Sequence, residues 1–140
     1  MAHNGKINFK LTETPFLVSP DGDVVGIQSR SGAISYFPAT VSQNAITAFA
    51  GGGQASAVQL KYRNSRVTTV GTAADSVKLP KAVAGMSMIV TNAAAANSMN
   101  CYPSSGEVIN ALAADAAFAM AANTSAQFTC MVNGTWNTII

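Results

Sequence analysis

The second half of the chain is a regular series of short strand patterns separated by turn residues, and this series constrains the fold most. From Ala126 to Val132 apolar and polar positions alternate with the two-residue period of a half-buried strand. Asn133-Gly134, the strongest two-residue hairpin signal, then leads into a last pattern at 135–140. Earlier strand patterns lie at 58–62, 66–70, 76–79, 86–92, 97–102, 107–110 and 118–121. Short strands at this spacing predict an all-β fold, an antiparallel β-barrel or jelly-roll-like domain over residues 58–140.

The apolar positions of these strands predict the core of that domain. We expect burial of Leu79, Ile89, Val90, Val108, Ile109, Phe128, Cys130, Val132 and Trp136. Two alanine-rich segments, 93–96 and 111–117, have high helix propensity. They lack helical periodicity on either side, so we predict that they form loops or single turns.

The first fifty residues predict an extended N-terminal β-arm. Residues 6–11 alternate apolar and polar positions, and Pro20-Asp21-Gly22-Asp23 is a hairpin signal between strand patterns at 16–19 and 24–30. Another strand pattern follows at 33–37, whereas 45–50 fits either a strand or one helical turn. Gly51 to Gly53 begin a segment, 51–57, with the composition of a flexible linker. The predicted organisation is therefore a β-arm at 1–50, a hinge at 51–57 and a compact domain at 58–140.

Charge is scarce along the chain. Only 10% of residues are charged, against about 25% in typical soluble domains, and from Ala82 onward the only charged side chains are Glu107 and Asp115. Such a surface favours burial against other chains, which indicates an assembly protein. The net charge of +2 is too small to indicate a nucleic-acid partner.

Five basic residues between positions 61 and 81 accompany a single acid, Asp75. A basic band of this kind suits either contact with an acidic protein surface or phosphate, or an ordinary solvated strand face, and the sequence leaves both open. No aromatic platform for stacking bases accompanies it. The band consists of Lys61, Arg63, Arg66, Lys78 and Lys81.

Residues for catalysis, metal binding or membrane insertion are few. The one histidine, His3, lies near the N-terminus, and Asp75, Glu107 and Asp115 form no recognisable catalytic pair, so we expect neither an enzyme nor a cofactor or metal. The longest apolar run, 111–122, is too short to span a bilayer, and residues 1–10 have no signal-like apolar segment, so we expect synthesis in a cytoplasm and no membrane contact.

The two cysteines are separated by 29 positions, and each lies in a strand pattern. We predict that Cys101 and Cys130 are small buried side chains, while a disulfide between neighbouring strands stays open.

Residues 60–140 also resemble a module that recurs in structural proteins of tailed bacteriophages. The resemblance lies in an ordered series of segments, each of them weak alone. They are Arg66-Val-Thr-Thr-Val, Asp75-Ser-Val-Lys-Leu-Pro, Ala84-Gly-Met-Ser-Met-Ile-Val-Thr-Asn, Asn100-Cys-Tyr-Pro-Ser-Ser-Gly-Glu-Val-Ile-Asn and Phe128-Thr-Cys-Met-Val-Asn-Gly-Thr-Trp. Head decoration (cement) proteins and tail-fibre or tail-tip domains both carry β-modules of this kind.

The resemblance implies a virion structural protein on the outer capsid surface. It would be a homotrimer that stabilises the head by binding at junctions between major capsid proteins, with the arm contacting the shell. The alternative is a receptor- or carbohydrate-binding module of a tail fibre or tail tip, with Tyr36, Tyr62, Tyr102 and Trp136 as its aromatic candidates. The predicted partner-binding residues of the arm are Ile7, Phe9, Leu11, Phe16, Val18, Arg30 and Phe37.

Overall fold

The computed structural model of the chain describes residues 16–18, 24–28, 34–36 and 42–139, with side chains from Ser42 onward. The described residues form thirteen β-strands and no helix, so the all-β prediction is confirmed. The chain divides into two compact units, Met1–Ala39 and Thr40–Ile140.

The first unit contains one three-stranded antiparallel sheet. Its strands are β1 (Phe16–Val18), β2 (Val24–Gln28) and β3 (Ile34–Tyr36), in the spatial order β1-β2-β3. Gly26 pairs with Leu17 on one side and with Tyr36 on the other. The antiparallel pairing of β1 with β2 agrees with the hairpin predicted between them.

The second unit consists of two sheets. The six-stranded sheet has the order β10-β13-β12-β8-β6-β4, and the four-stranded sheet has the order β11-β9-β7-β5. The strand bounds are β4 (Ser42–Thr47), β5 (Val58–Gln59), β6 (Asn64–Thr69), β7 (Asp75–Lys78), β8 (Ser87–Asn92), β9 (Met99–Tyr102), β10 (Val108–Ile109), β11 (Phe118–Met120), β12 (Thr124–Val132) and β13 (Thr135–Ile139).

Successive strands alternate between the two sheets and stack as coils. β4, β6 and β8 pair in parallel in one sheet, and β5, β7 and β9 pair in parallel in the other. The chain then reverses, because β11 and β12 pair antiparallel to β9 and β8. The second unit is therefore a solenoid-like stack of three coils, closed on one side by antiparallel strands. The prediction of an antiparallel barrel or jelly roll is corrected, since both sheets contain parallel pairs.

The core lies between the two sheets. Val67, Val90 and Phe128 from the six-stranded sheet meet Val77 and other apolar residues of the four-stranded sheet, and all of these are fully buried. The Phe128 ring makes edge contacts with the rings of Phe118 and Trp136, at centroid separations of 5.8 and 6.5 Å. Burial is confirmed for the predicted residues Leu79, Val90, Ile109, Phe128, Cys130 and Trp136.

Three of the predicted core residues lie elsewhere. Ile89 is 41% exposed, because its neighbour Val90 faces the core and successive strand residues face opposite sides. Val132 is 66% exposed, because the β12–β13 register shifts between Thr129 and Val132 and interrupts the alternation there. Val108 is only half-buried.

The segment predicted as a hinge lies against the four-stranded sheet. Phe49 forms a backbone bridge with Ser76, and the backbone amide of Gly51 donates to the Asp75 carboxylate at 3.1 Å. The side-chain amide of Gln54 donates to the Pro103 carbonyl at 3.0 Å. Pro103 follows β9, and β7 lies between β9 and β5 in the sheet. The segment therefore crosses β7 before β5 begins. This covering explains why Ser76 is fully buried although it faces away from Val77 and the core. The boundary between the units lies near residue 40, and β4 belongs to the second unit.

Both cysteines are free and buried, as predicted for small core side chains. They belong to different sheets, Cys101 to β9 and Cys130 to β12. Burial raises the pKa of both thiols above the ordinary value, so the reactive thiolate is scarce at neutral pH. We expect neither thiol to react with a disulfide reagent in the native protein, and both to react in denaturant. Rapid labelling of either cysteine in the native state would contradict the packing.

Candidate interaction surface

The predicted partner-binding residues lie in the first unit. Phe16 and Val18 are in β1, where the backbone pairing is described. The others, Ile7, Phe9, Leu11, Arg30 and Phe37, lie outside the described residues. The role of the arm therefore stays a prediction, and the interaction surface described below belongs to the second unit.

Several residues of the phage-like segments have structural roles in turns. The Asn92 amide donates to the carbonyls of Asn97 and Met120 and accepts from the Ala94 amide, which secures the turn after β8. Asn110 exchanges two hydrogen bonds with Thr138, at 2.8 and 2.9 Å. Gly134, at φ 81°, occupies the left-handed conformation that the hairpin before Trp136 requires. These residues specify the fold and are not gathered into one site.

Asp75 joins two connections of the solenoid. Its carboxylate accepts from the Thr72 hydroxyl at 2.6 Å, from the Thr72 amide at 2.9 Å and from the Gly51 amide at 3.1 Å. The Thr72 hydroxyl is the main cause that holds the pKa of Asp75 below its ordinary value, and the backbone amides add to it while burial opposes it. The carboxylate is fully occupied in holding the turn.

Because the folded-state pKa of Asp75 is depressed, its contribution to stability is complete above the unfolded-state pKa of about 3.9. That contribution is lost as the pH falls through the lower folded-state pKa. We expect Asp75→Asn to weaken the dependence of the urea midpoint on pH between pH 5 and pH 2. Thr72→Val should act in the same direction, whereas the matched Thr72→Ser keeps the hydroxyl donor. An unchanged acid dependence in Asp75→Asn would contradict this role.

The remaining acids of the second unit are also engaged with backbone groups. Both oxygens of the buried Glu107 carboxylate accept from the Ala82 amide at 3.0 Å. Asp115 accepts from Gln54 and from the Gly106 amide, both at 2.7 Å, and Gln54 is the larger cause of its lowered pKa. Within 42–139 no His, Cys, Asp and Glu side chains are grouped as a metal site would require. Among the described segments no helix has the length and hydropathy needed to cross a bilayer.

The outer side of the six-stranded sheet, which we call the open face, carries a broad set of exposed side chains within residues 42–139. Strand alternation places neutral polar side chains there, in rows that cross the sheet. One row runs Asn64, Ile89, Gln127, Ile139 through paired positions, and the next contains Arg66, Thr91 and Ser125. Among the outward side chains of β6, β8, β12 and β13, only Arg66 carries a charge.

Side-chain hydrogen bonds connect neighbouring strands across the open face. The Thr91 and Ser125 hydroxyls lie 2.8 Å apart, and the Gln127 amide donates to the Ser87 hydroxyl at 3.2 Å. The Arg66 guanidinium donates to the Asn44 side-chain oxygen at 3.0 Å. These bonds hold short polar side chains in place, so the face loses little side-chain entropy on contact with a partner.

A shallow depression of about 350 Å³ lies at the β4 end of the open face. Amide, hydroxyl and guanidinium groups surround the side chain of Ile89 there. The lining residues are Ser42, Gln43, Asn44, Asn64, Ser65, Arg66, Ile89 and Thr91. The groups suit hydrogen bonding to a polar ligand, and the lining contains no carboxylate, histidine or cysteine.

The outward-facing residues of the strands also form a pattern in the sequence, and this pattern marks the open face. The residues between the core positions of β8 and β12 are Ser87, Ile89, Thr91, Ser125 and Gln127, and their alternation with buried residues marks a second, uncharged side of the sheet. Which strands share that side depends on the parallel pairing of distant segments, which the sequence pattern does not specify.

No protein-family model, no curated protein and no solved structure matches this chain significantly.

Proposed function

We propose that this chain is a structural protein of a tailed-bacteriophage virion, a decoration protein that binds at junctions between major capsid proteins. The ordered phage-like segments between residues 60 and 140 motivate the proposal. The all-β second unit and its paucity of charge agree with it. In this proposal the chain forms a homotrimer on the outer capsid surface and has no catalytic role.

The observation that carries the proposal is the open face. A sheet surface with one charged residue, Arg66, and many short hydroxyl and amide side chains costs less to desolvate than a charged surface when another protein covers it. Exposed apolar residues on the same face, Ile89 at 41% and Ile139 at 64%, supply area for burial. In the proposed trimer these faces pack between subunits, and the first unit remains available for the shell.

The test uses heads of the phage that encodes the chain, purified without this protein. We expect the full-length chain to cosediment with the heads and to have a light-scattering mass of three times 14.3 kDa. Electron cryomicroscopy should place its density at junctions between capsid subunits. A stable monomer that leaves the heads undecorated would contradict the proposal.

The arm is tested separately by substitutions in the full-length chain. Phe9→Ser combined with Leu11→Ser should weaken binding to the heads without changing the trimer mass. Phe9→Leu combined with Leu11→Ile is the matched control and should bind normally. Unchanged binding of the serine variant would show that the arm is not the anchor, while leaving the decoration role intact.

The depression on the open face favours a second candidate, a carbohydrate-binding module of a tail fibre or tail tip. Arg66, Asn44 and Asn64 present donors and acceptors for sugar hydroxyls around the apolar Ile89. A glycan array distinguishes the two proposals. Selective glycan binding that Arg66→Ala abolishes, together with failure to decorate heads, would favour the tail module.

A further inference from the structure

Four basic side chains, which we call the basic rim, lie where the chain passes from the four-stranded to the six-stranded sheet. Two belong to the β5–β6 connection, one ends β7 and one belongs to the β7–β8 connection. Backbone hydrogen bonds hold these segments side by side, from the Leu60 amide to the Lys78 carbonyl at 2.8 Å and from the Ile89 amide to the Arg63 carbonyl at 2.7 Å. The residues are Lys61, Arg63, Lys78 and Lys81; Lys78 is half-buried and the others are exposed.

The acids of the second unit accept hydrogen bonds from backbone amides, and within residues 42–139 none is hydrogen-bonded to a side chain of the basic rim. Asp75 is buried at the opposite end of β7 and holds backbone amides there. Glu107 is buried against the Ala82 amide. Asp115 is occupied by Gln54 and Gly106. Four bases with one carboxylate beside them, that of Glu107 below Lys81, give the rim a net positive potential.

Four exposed apolar side chains, the apolar tip, lie at the same end of the strands. They come from the loop before β8 and from the end of β12, and the two segments are joined by bonds from the Gly85 amide to the Cys130 carbonyl at 2.8 Å and from the Gly134 amide to the Ala82 carbonyl at 3.0 Å. The tip follows Lys81 directly in the chain. Its residues and exposed fractions are Val83 at 46%, Met86 at 37%, Met131 at 76% and Val132 at 66%.

We propose that the basic rim and the apolar tip together form a docking surface for a different protein, one that presents an apolar patch bordered by carboxylates. Contiguous exposed apolar side chains are typical of protein contact sites, and methionine adapts its shape to a partner. The bases beside the tip favour a partner whose apolar patch is surrounded by acidic groups. This inference concerns another surface than the open face and does not depend on the proposed function.

Charge complementarity excludes a second copy as the occupant. Two copies meeting through this surface would bring like charges together. The described acids of the second unit are engaged or buried, and residues 1–39 balance three bases with three acids, so neither part of the chain offers a net acidic counterpart. A polyanion without apolar groups would engage the rim and leave the tip exposed. The tip has no Trp or Tyr of the kind that anchors proteins at membrane interfaces.

The experiment uses the full-length chain and three probes: a synthetic amphipathic peptide of glutamate and leucine, polyglutamate of equal charge, and phosphatidylglycerol vesicles. We expect the peptide to bind most tightly, with an affinity that falls as salt is added. Lys61→Glu with Lys81→Glu should weaken this binding about tenfold or more, and Met131→Ser with Val132→Ser about fivefold.

The matched controls Lys61→Arg with Lys81→Arg, and Met131→Leu with Val132→Ile, should retain the affinity. Unchanged urea midpoints exclude unfolding as the cause of any loss. Polyglutamate binding as tightly as the peptide with no effect of the tip variant would overturn the proposal in favour of a simple anion site. Tighter binding to vesicles would overturn it in favour of a membrane, and absence of peptide binding would overturn it altogether.

Discussion

Phe128→Ala should lower the free energy of unfolding by about 3–5 kcal/mol, the largest effect we expect from a single substitution. Phe128 is fully buried in β12, and its ring contacts those of Phe118 and Trp136 edge-on. The rings come from strands on both sheets, so the cavity left by alanine cannot close by movement of one side chain. Urea unfolding monitored by tryptophan fluorescence measures the loss, because Trp136 is the one tryptophan of the chain.

Two variants serve as controls for this prediction. Met131→Ala truncates an exposed side chain near the end of the same strand and should change stability by less than about 0.5 kcal/mol. Trp136→Phe removes the fluorescent probe and is therefore followed by far-UV circular dichroism. It should cost less than a truncation to alanine, because the buried indole N–H has no hydrogen-bond partner among the described residues. If Phe128→Ala were no more destabilising than Met131→Ala, the packing between the sheets would be wrong.

Glu107→Leu should lower the free energy of unfolding by about 1.5–3 kcal/mol. The Glu107 carboxylate accepts from the Ala82 amide and so ties the connection after β9 to the connection after β7. Leucine keeps the volume but leaves a buried amide without an acceptor. The urea midpoint at neutral pH gives the measurement.

The matched variant Glu107→Gln separates hydrogen bonding from packing. Glutamine keeps one side-chain carbonyl oxygen as acceptor for the Ala82 amide, so it should retain most of the stability that leucine loses. Equal losses in the two variants would mean that the negative charge, and not the hydrogen bond, supplies the stabilisation.

The local structure was largely predictable from the sequence. Turn residues such as Asn133-Gly134 and the alternation around Phe128 placed the strands within a few residues of their observed bounds, because both signals act over neighbouring positions. The loops at 93–96 and 111–117 were also predicted. The burial predicted for Val132 from strand alternation was wrong. A register shift between β12 and β13, which no local pattern reveals, turns this side chain outward.

The pairing of strands was not predictable from the same signals. Whether β6 lies parallel or antiparallel to β8 depends on the path of the intervening coil, and both arrangements suit an alternating strand. The glycines at 51–53 were assigned to a hinge from their composition, whereas Gly51 and Gln54 hold the segment through hydrogen bonds to residues far along the chain. The open face and the basic rim depend on this pairing, so neither could be located from the sequence alone.

The solenoid arrangement also determines how the second unit opens in solution. β4 and β5 are the end strands of their sheets and pair on one side only, whereas β8 and β12 have partners on both sides. The pairing of β4 with β6 is irregular at Ala45, which has a φ of 61°. Amide protons of the first coil should therefore exchange with solvent long before those of β8 and β12, through an opening that leaves the rest of the stack intact. The coil next to the boundary near residue 40 can thus rearrange while the aromatic core stays closed.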